Sequence, residues 1–237
     1  GTVTFLFTDI EGSTERWEQD AAAMASAVAR HFEILDEVVA RWGGLRPVEH
    51  GESDSVLAAF PRATDCLAAA AEAQRRLTAD LGDLFAVRMA LHTGDAQQRD
   101  DGNDFGETVN RCARVRACGH GGQVLCTQAV VELVRDKVPD GVQLVDLGVH
   151  RLRDLGRSER IWQATVTGAA GAFPPLSSLD AFRHNLPASL TTFVGRRAEL
   201  ADLRALTARP DGRLVSLVGA GGCGKTRLAL QLAGDLV

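Results

Sequence analysis

The sequence predicts an α+β fold in which a central, mostly antiparallel sheet carries helices on one side. Three observations lead to this prediction. Short segments that alternate apolar and polar residues, as half-buried strands do, recur through the first two thirds of the chain. Longer segments with apolar residues three or four positions apart, which are typical of amphipathic helices, separate most of these strands. Some neighbouring strands are joined by short hairpins instead, which favours an α+β arrangement.

The predicted elements follow one another in a simple order. The first strand, residues 2–9, leads into one long helix that begins at about Gly12 and ends before Gly43 and Gly44, because glycine commonly stops a helix. The other predicted strands are residues 56–60, 85–94, 123–127, 142–148 and 160–166. The other predicted helices are residues 61–80, where Pro61 opens the first turn, 107–118 and 128–135.

Composition limits the possible classes of protein. The chain of 237 residues is long enough for one full domain and part of another, and its 45% hydrophobic residues can fill a core. A net charge of −5 without a Lys/Arg block gives no support to binding of nucleic acid or a membrane surface. No apolar run approaches the ~20 residues of a membrane helix, and no signal peptide is evident near Gly1. The five cysteines lack CxxC spacing, so we expect reduced thiols in a cytoplasmic protein.

A glycine-rich loop marks a second unit. Residues 167–190 begin with small residues and prolines, which predicts a linker between a first domain at 1–166 and a second unit at 191–237. In this unit an apolar strand, the motif GxxxxGK[ST] and a helix follow one another, as in the P-loops of α/β NTPases. The motif residues are Gly219, Gly224, Lys225 and Thr226. We expect its amides and lysine to hold nucleotide phosphates and its threonine to bind Mg²⁺. A chance glycine-rich turn is the alternative.

Two aspartates are candidate metal ligands in the first unit. Asp9 closes the first strand, and Asp54 lies just before the strand at 56–60. If these strands pair as antiparallel neighbours, the two carboxylates meet at one end of the sheet. Phosphoryl chemistry with two divalent cations needs such hard oxygen ligands a few ångströms apart. An Asp before a helix is, taken alone, more often only a cap.

Two further groups of residues suit a nucleotide. Gly12, Ser13 and Thr14 begin the long helix, so we expect their free backbone amides to bind a triphosphate. Asn110 and Arg114 lie four positions apart and therefore on one face of the helix at 107–118. An amide and a guanidinium together can orient a ribose and stabilise charge on a phosphorus centre. The alternative for this pair is an ordinary solvated helix face.

The motifs together resemble those of the class III nucleotide cyclases. The matching stretches are "FLFTDIEGST", "GESDSVLAAF", "VRMALHTGD" and "DFGETVNRCARV", in this order, and the match continues through "GGQVLCT" to about residue 166. The resemblance implies a ferredoxin-like catalytic domain that works as a head-to-tail homodimer. Each active site would take its metal ligands from one chain and its transition-state residues from the other. A single chain is then expected to be inactive.

The resemblance also implies a role for each candidate residue. Asp9 and Asp54, with the carbonyl of Ile10, would hold two Mg²⁺ or Mn²⁺ ions. Asn110 would orient the ribose, and Arg114 would stabilise charge on the transferring phosphorus. The expected reaction converts ATP to 3′,5′-cyclic AMP and pyrophosphate by in-line attack of the 3′-hydroxyl on the α-phosphate.

The sequence departs from the family at the positions that select the base. Members that make cyclic AMP usually carry a Lys and an Asp that bind adenine, and the corresponding residues here are His50 and Asn103. Histidine can donate a hydrogen bond, but an Asn side chain can present either its carbonyl or its amide group. We therefore expect weak activity with relaxed selectivity between ATP and GTP. A decayed site is the alternative. Ser53 stands where the family often has Gly.

The second unit resembles the start of STAND-type signal-transduction ATPases. The stretch "NLPASLTTFVGRRAEL" followed by the P-loop carries this resemblance, which covers about 50 residues. The order of the two units is similar to that of LuxR-type regulators, in which a DNA-binding domain would follow Val237. Two hypotheses result: a homodimeric adenylate cyclase joined to a nucleotide-operated switch, or a non-catalytic cyclase-like module that dimerises or binds nucleotide in a STAND-type regulator.

Overall fold

The structure is a computed structural model that describes residues 1–46, 54–95, 106–169, 171–179, 195–207 and 214–236. The chain forms two compact units, residues 1–181 and residues 182–237, and each is described by itself. Within the described ranges, every helix is too short or too polar to cross a lipid bilayer.

The first unit is built on a sheet of six strands with the order β2-β1-β3-β4-β6-β5. Neighbouring strands are antiparallel except β3 and β4, which run parallel. The strands are β1 Thr2–Ile10, β2 Val56–Phe60, β3 Val87–Asp95, β4 Val124–Thr127, β5 Val142–His150 and β6 Glu159–Val166. The helices are α1 Ser13–Gln19, α2 Ala21–Arg41, α3 Ala63–Leu81, α4 Gly106–Ala117 and α5 Gln128–Val134, with a 3₁₀ turn at Asp83–Phe85. The mixed sheet with helices agrees with the predicted class.

Helices cover both faces of this sheet. The larger core lies between the sheet and the helices α2, α3 and α5, and Leu6 and Phe60 of the sheet are buried in it. On the opposite face, Cys112 and Val115 of α4 pack against Phe5 and neighbouring strand residues. The expectation that all helices lie on one side was therefore wrong for α4. Successive side chains of β1 point to opposite faces of the sheet, and apolar residues lie on both faces. Each face is therefore buried by packing against helices.

The predicted single helix after β1 is two helices. α1 ends at Gln19 and α2 begins at Ala21, with Asp20 between them in a non-helical conformation. The Asp20 carboxylate accepts a hydrogen bond from the Ala23 backbone N–H at 2.9 Å, so it caps α2. Apolar spacing alone continues through this point, which is why the break was not predicted.

Part of the predicted linker packs against the first unit. Leu176 is buried in the cluster beneath α4. The backbone N–H of Ser177 donates to the Cys118 carbonyl at 2.8 Å, and that of Leu179 donates to the Arg151 carbonyl at 2.9 Å. Residues 171–179 therefore continue the first unit past the predicted boundary at 166.

The described part of the second unit contains two helices, α6 Arg197–Thr207 and α7 Lys225–Leu236. Leu203 of α6 packs against Leu228 and Leu232 of α7. The strand predicted before the glycine-rich loop does not appear over 214–220. A strand needs a hydrogen-bonding neighbour, and the described residues of this unit include no second strand that could pair with it.

All five cysteines are free thiols, as the sequence predicts. Burial raises the pKa of the Cys112, Cys118 and Cys126 thiols to about 12, so these side chains behave as small apolar residues.

Candidate active site

Strand alternation places Asp9 on the α4 side of the sheet. Phe5 and Phe7 pack on the cluster that includes α4, and Asp9 continues the same alternate positions of β1. Its side chain is buried, with only 4% of the residue exposed. A buried carboxylate needs a cationic or hydrogen-bonding partner, because its desolvation is otherwise costly.

Arg88 of β3 provides the first partner of Asp9. The two residues are directly opposite each other in the antiparallel pairing of β1 and β3. Nε of Arg88 donates to Oδ1 of Asp9 at 2.6 Å, and Nη2 donates to Oδ2 at 2.9 Å. Its hydrogen bonds with Asp9 are the main cause that raises the pKa of the Arg88 guanidinium. This two-pronged geometry is a strong form of carboxylate recognition.

Asp54 meets the end of β1 from the neighbouring strand. Thr8 pairs with Val56 in the antiparallel register of β1 and β2, so continuing that register brings Asp54 opposite Ile10. The Ile10 backbone N–H donates to Oδ2 of Asp54 at 3.2 Å. Asp54 is also buried, at 4% exposed. Asp54 therefore contacts the backbone of the residue that follows Asp9 at one end of the sheet, and the joint binding of metal by Asp9, Ile10 and Asp54 stays a prediction.

A second arginine, Arg116, approaches Asp9 from α4. Its Nη1 donates to the Thr8 carbonyl at 3.3 Å and to Oγ of Ser55 at 3.1 Å. Its guanidinium carbon lies 4.1 Å from the centre of the Phe7 ring. Nε lies 3.5 Å from Oδ2 of Asp9, an ionic contact without hydrogen-bond geometry, and has no other partner among the described residues.

Asn110 and Arg114 lie on the other face of α4. Both are exposed, whereas Cys112 and Arg116 face the sheet. Nη2 of Arg114 lies 2.9 Å from Oδ2 of Asp154, in an ion pair that is largely open to solvent. The structure therefore does not bring Asn110 and Arg114 of the same chain onto the two carboxylates.

The residues at the end of β1 suit a divalent cation. Carboxylate and carbonyl oxygens are the ligands that Mg²⁺ and Mn²⁺ prefer, and Asp9, Asp54 and Ile10 can supply them. The Arg88 guanidinium on Asp9 indicates that this place accepts positive charge. Within the described ranges, groups of three or more His, Cys, Asp or Glu that could hold a metal ion are absent. A cation here would therefore depend on backbone, substrate or solvent oxygens as well.

The remaining predicted residues of the first unit have different outcomes. His50, Ser53 and Asn103 lie outside the described residues. Gly12 precedes α1 with a φ of +69°, a left-handed conformation that suits glycine. Ser13 and Thr14 form the first turn of α1, which has seven residues instead of belonging to a long helix. Their binding of a triphosphate stays a prediction.

The glycine-rich loop of the second unit has a compact local geometry. Nζ of Lys225 donates to the carbonyls of Gly219 at 2.8 Å and Ala220 at 2.7 Å. Gly222 and Gly224 have positive φ values of 75° and 81°. The lysine thus reaches back over the loop from the first residue of α7, and Thr226 follows it in an exposed position.

Sequence reasoning missed Arg88 and Arg116. Arg88 lies on the predicted strand at 85–94, but the bounds of the predicted strands do not fix the register that sets it opposite Asp9. Arg116 follows Arg114 by two positions and Cys112 by four, so it shares the inward face with the cysteine. An arginine on an otherwise apolar inward face is the signal that was available.

Residues 1–162 match the family Adenylate and Guanylate cyclase catalytic domain. Because the match covers more than half of the chain, the protein belongs to this family. An uncharacterized protein of Mycobacterium tuberculosis is 42% identical over 202 residues, which is 85% of this chain and 69% of the relative.

Solved structures share the fold of the first unit. One structure comes from a study of adenylate cyclases from Trypanosoma brucei in their monomeric state. It is 25% identical in sequence and matches with a TM-score of 0.61 over 75% of this chain and 95% of the solved chain. An adenylate/guanylate cyclase/hydrolase from Silicibacter pomeroyi has a TM-score of 0.59 and 26% identity over 70% of this chain and 98% of its own. The six-stranded mixed sheet with its helices is thus a cyclase fold.

Proposed function

We propose that the protein is a nucleotide cyclase that converts ATP to 3′,5′-cyclic AMP and pyrophosphate, with weak activity and relaxed selectivity for the base. The observation that supports this proposal is at the end of β1, where the buried Asp9 is followed by Ile10, whose backbone N–H donates to Oδ2 of the buried Asp54 at 3.2 Å. Two buried carboxylates can supply oxygen ligands for divalent cations, and the arginine hydrogen-bonded to Asp9 is a group that suits phosphate.

The chain's own residues supply binding and orientation. Asp9, Asp54 and the Ile10 carbonyl would hold two Mg²⁺ or Mn²⁺ ions. When bound, such ions make a hydroxyl more acidic and neutralise phosphate charge. The 3′-hydroxyl gives up its proton to solvent and attacks the α-phosphorus in line; a new P–O bond forms, the bond to the oxygen of the β-phosphate breaks, and pyrophosphate leaves with the electron pair.

Arg88 is proposed as a phosphate ligand. A cation at Asp9 competes for the same two oxygens that Arg88 now contacts. A displaced guanidinium needs a new anionic partner, and phosphate oxygens match its fork geometry.

A homodimer is proposed because one chain does not assemble the whole site. Asp9 faces α4 from the sheet, whereas Asn110 and Arg114 are exposed on the outer face of that helix. A second copy can bring these exposed residues to the carboxylates, and a two-fold arrangement creates two such sites. In this proposal Asn110 orients the ribose and Arg114 stabilises the charge that develops on the phosphorus.

The test is turnover of ATP and GTP to cyclic product, with Mn²⁺ or Mg²⁺, by the wild type and the Arg114→Ala variant. Wild type should form cyclic AMP, and the variant should lose about 100-fold or more, because a transition-state contact is removed. Arg135→Ala is the matched control, since this exposed arginine follows the last residue of α5 and pairs with Glu132 at 2.8 Å. Equal product from wild type and Arg114→Ala would refute the enzyme.

The base preference has its own experiment. His50→Lys combined with Asn103→Asp should raise ATP turnover and the ratio of ATP to GTP used, because the pair restores a fixed donor and acceptor for adenine. An unchanged ratio would mean that these two positions do not contact the base.

A second candidate is a non-catalytic module that binds nucleotide or dimerises within a STAND-type regulator. The two arginines on Asp9 favour it, since they already neutralise the carboxylate. The P-loop geometry around Lys225 also supports nucleotide binding outside the cyclase domain. Nucleotide binding without cyclic product from the wild type, under either cation, would select this candidate.

A further inference from the structure

Arg116 is a buried cation beside the carboxylate pair, and its environment fixes it there. Only 9% of its side chain is exposed, compared with 23% for Arg88. The Thr8 carbonyl and Ser55 hydroxyl accept from Nη1, and the Phe7 ring covers the guanidinium. These contacts come from β1 and from Ser55, the residue just before β2, so they hold the charge close to the neighbouring ends of the two strands.

The two arginines differ in their freedom to leave Asp9. Arg88 is attached by its hydrogen bonds to Asp9, and a competing cation can displace it. The contacts of Arg116 with Thr8, Ser55 and Phe7 do not involve the Asp9 carboxylate, so a cation on Asp9 does not compete for them. Nε of Arg116, which lies 3.5 Å from Oδ2 of Asp9 and has no hydrogen bond among the described residues, therefore remains a nearby positive charge.

We propose that Arg116 is a positioning residue that keeps the affinity of Asp9 and Asp54 for free divalent cations low and makes cation uptake depend on nucleotide. This inference rests on the proposed cyclase site. A fixed cation a few ångströms away repels an incoming cation and offsets part of the carboxylate charge. The phosphates of a nucleotide add negative charge, which restores the attraction, so cation and nucleotide bind with positive coupling.

Other charged groups near the pair do not replace Arg116. Glu11 acts on Arg88 through its charge, but its side chain is 45% exposed and accepts from the Gly121 backbone N–H at 3.0 Å. Nδ1 of His120 lies 3.8 Å from Oε1 of Glu11 and has no ion pair with Asp9 among the described residues. Among the described residues, Arg116 is thus the fixed cation that contacts Asp9 from α4.

The experiment is a titration of the full chain with Mn²⁺, followed by the electron paramagnetic resonance signal of the free ion. Arg116→Gln should tighten Mn²⁺ binding without nucleotide by about tenfold or more, because a unit charge is removed near the site. Arg116→Lys, which keeps the charge, should stay within about twofold of wild type. Arg135→Gln, a matched loss of an exposed arginine, should also leave the affinity unchanged.

Two further measurements keep the result decisive. In wild type, an unreactive ATP analogue should tighten Mn²⁺ binding by about tenfold or more, and this gain should shrink in Arg116→Gln. Asp9→Asn, titrated in parallel, defines the Mn²⁺ that binds elsewhere, including at the glycine-rich loop. The wild-type measurement needs no substitution at Arg116, so it applies even if Arg116→Gln does not fold.

The outcomes separate this inference from the cyclase proposal. Equal Mn²⁺ affinity of wild type and folded Arg116→Gln, with Asp9-dependent binding in the presence of the analogue, overturns the role of Arg116 alone. An equal Mn²⁺ affinity of wild type with and without the ATP analogue also overturns the role of Arg116. Titrations of wild type and Asp9→Asn that coincide under both conditions overturn the metal site and this inference together.

Discussion

Asp9 and Arg88 face each other across β1 and β3 and form two hydrogen bonds, at 2.6 and 2.9 Å, beneath the surface of the domain. This pair explains why a strand of buried residues can end on a carboxylate. The charge is stabilised within the sheet by a cross-strand partner, and no solvent contact is needed. The same pair joins the candidate cation ligand to a group that suits phosphate.

Replacing Arg88 tests whether its guanidinium binds the phosphates of ATP. Arg88→Ala should raise the KM for ATP by about 10- to 100-fold, because a hydrogen bond to a charged group contributes about 1.5–3 kcal/mol. The measurement is initial-rate kinetics at saturating Mn²⁺. Arg88→Lys should recover part of the loss, since a lysine keeps the charge but not the fork.

The control for Arg88 is Arg160→Ala. Arg160 is also a strand arginine paired with an aspartate, Asp146, but both side chains are more than a third exposed. Its KM should equal that of wild type. A fall in kcat for Arg88→Ala with an unchanged KM would contradict a role in binding the ground-state triphosphate.

Mixing two inactive variants tests whether the site is shared between copies. Asp9→Asn removes a candidate cation ligand, and Arg114→Ala removes an exposed residue of the other face of α4. Each should be inactive alone. In an equal mixture, half of the dimers combine both chains and each holds one intact site, so about a quarter of wild-type activity should return.

The mixture needs a control in which both variants lack a residue of the carboxylate half of the site, so that no pairing of chains gives an intact site. Asp9→Asn mixed with Asp54→Asn leaves every site without one of its two carboxylates, so activity should stay absent. Recovery in that mixture, or no recovery with Arg114→Ala despite dimers in sedimentation experiments, would contradict a site made from two chains.

Lys225 allows the two units to be tested separately. If the glycine-rich loop binds ATP, Lys225→Ala should remove that binding, because Nζ, which now donates to the Gly219 and Ala220 carbonyls, is the cation expected to contact the phosphates. Calorimetry should show fewer ATP analogue molecules bound per chain. Cyclic AMP formation at saturating ATP should stay within about twofold of wild type, whereas a loss of both would mean that the units share one nucleotide site.

The predictable part of the fold is the part with strong local periodicity. The strand at 56–60 was predicted with the bounds that β2 has, and the two late strands were also found, because alternation is preserved in them. The break at Asp20 was missed because its cause is one side chain that caps α2 while the apolar spacing continues. A capping interaction of this kind competes with helix propensity at a single position.

The candidate site was predictable only where local motifs carry it. The stretches that carry Asp9, Asp54, Asn110 and Arg114 are recognisable in the sequence. The places of Arg88 and Arg116 beside Asp9 depend instead on strand register and on the orientation of α4. Strand register and helix orientation are tertiary properties. A sequence pattern does not give them unless it is known which strands pair and which residues lie opposite each other. The packing of Leu176 beneath α4 is also a tertiary contact. The small residues and prolines around Leu176 predict a linker and give no sign of this contact.

His92 provides a prediction about stability and pH. It is buried on β3, and its Nδ1 lies 2.9 Å from Oγ1 of Thr127. Burial, helped by the charge of Arg111, lowers the pKa of His92 to about 4. The unfolded chain, with a histidine pKa of about 6.5, binds the proton more readily, so the free energy of unfolding falls as the pH drops from 6.5 towards 4.

The loss at pH 4 should be about 3 kcal/mol for this residue, because each pKa unit corresponds to about 1.4 kcal/mol. His92→Gln keeps a hydrogen-bonding side chain for Thr127 and cannot titrate, so its urea midpoint should depend less on pH in this interval. His150→Gln is the control, since His150 lies nearer the surface of β5. If both variants showed the wild-type pH slope, the buried neutral state of His92 would not be the source of acid sensitivity.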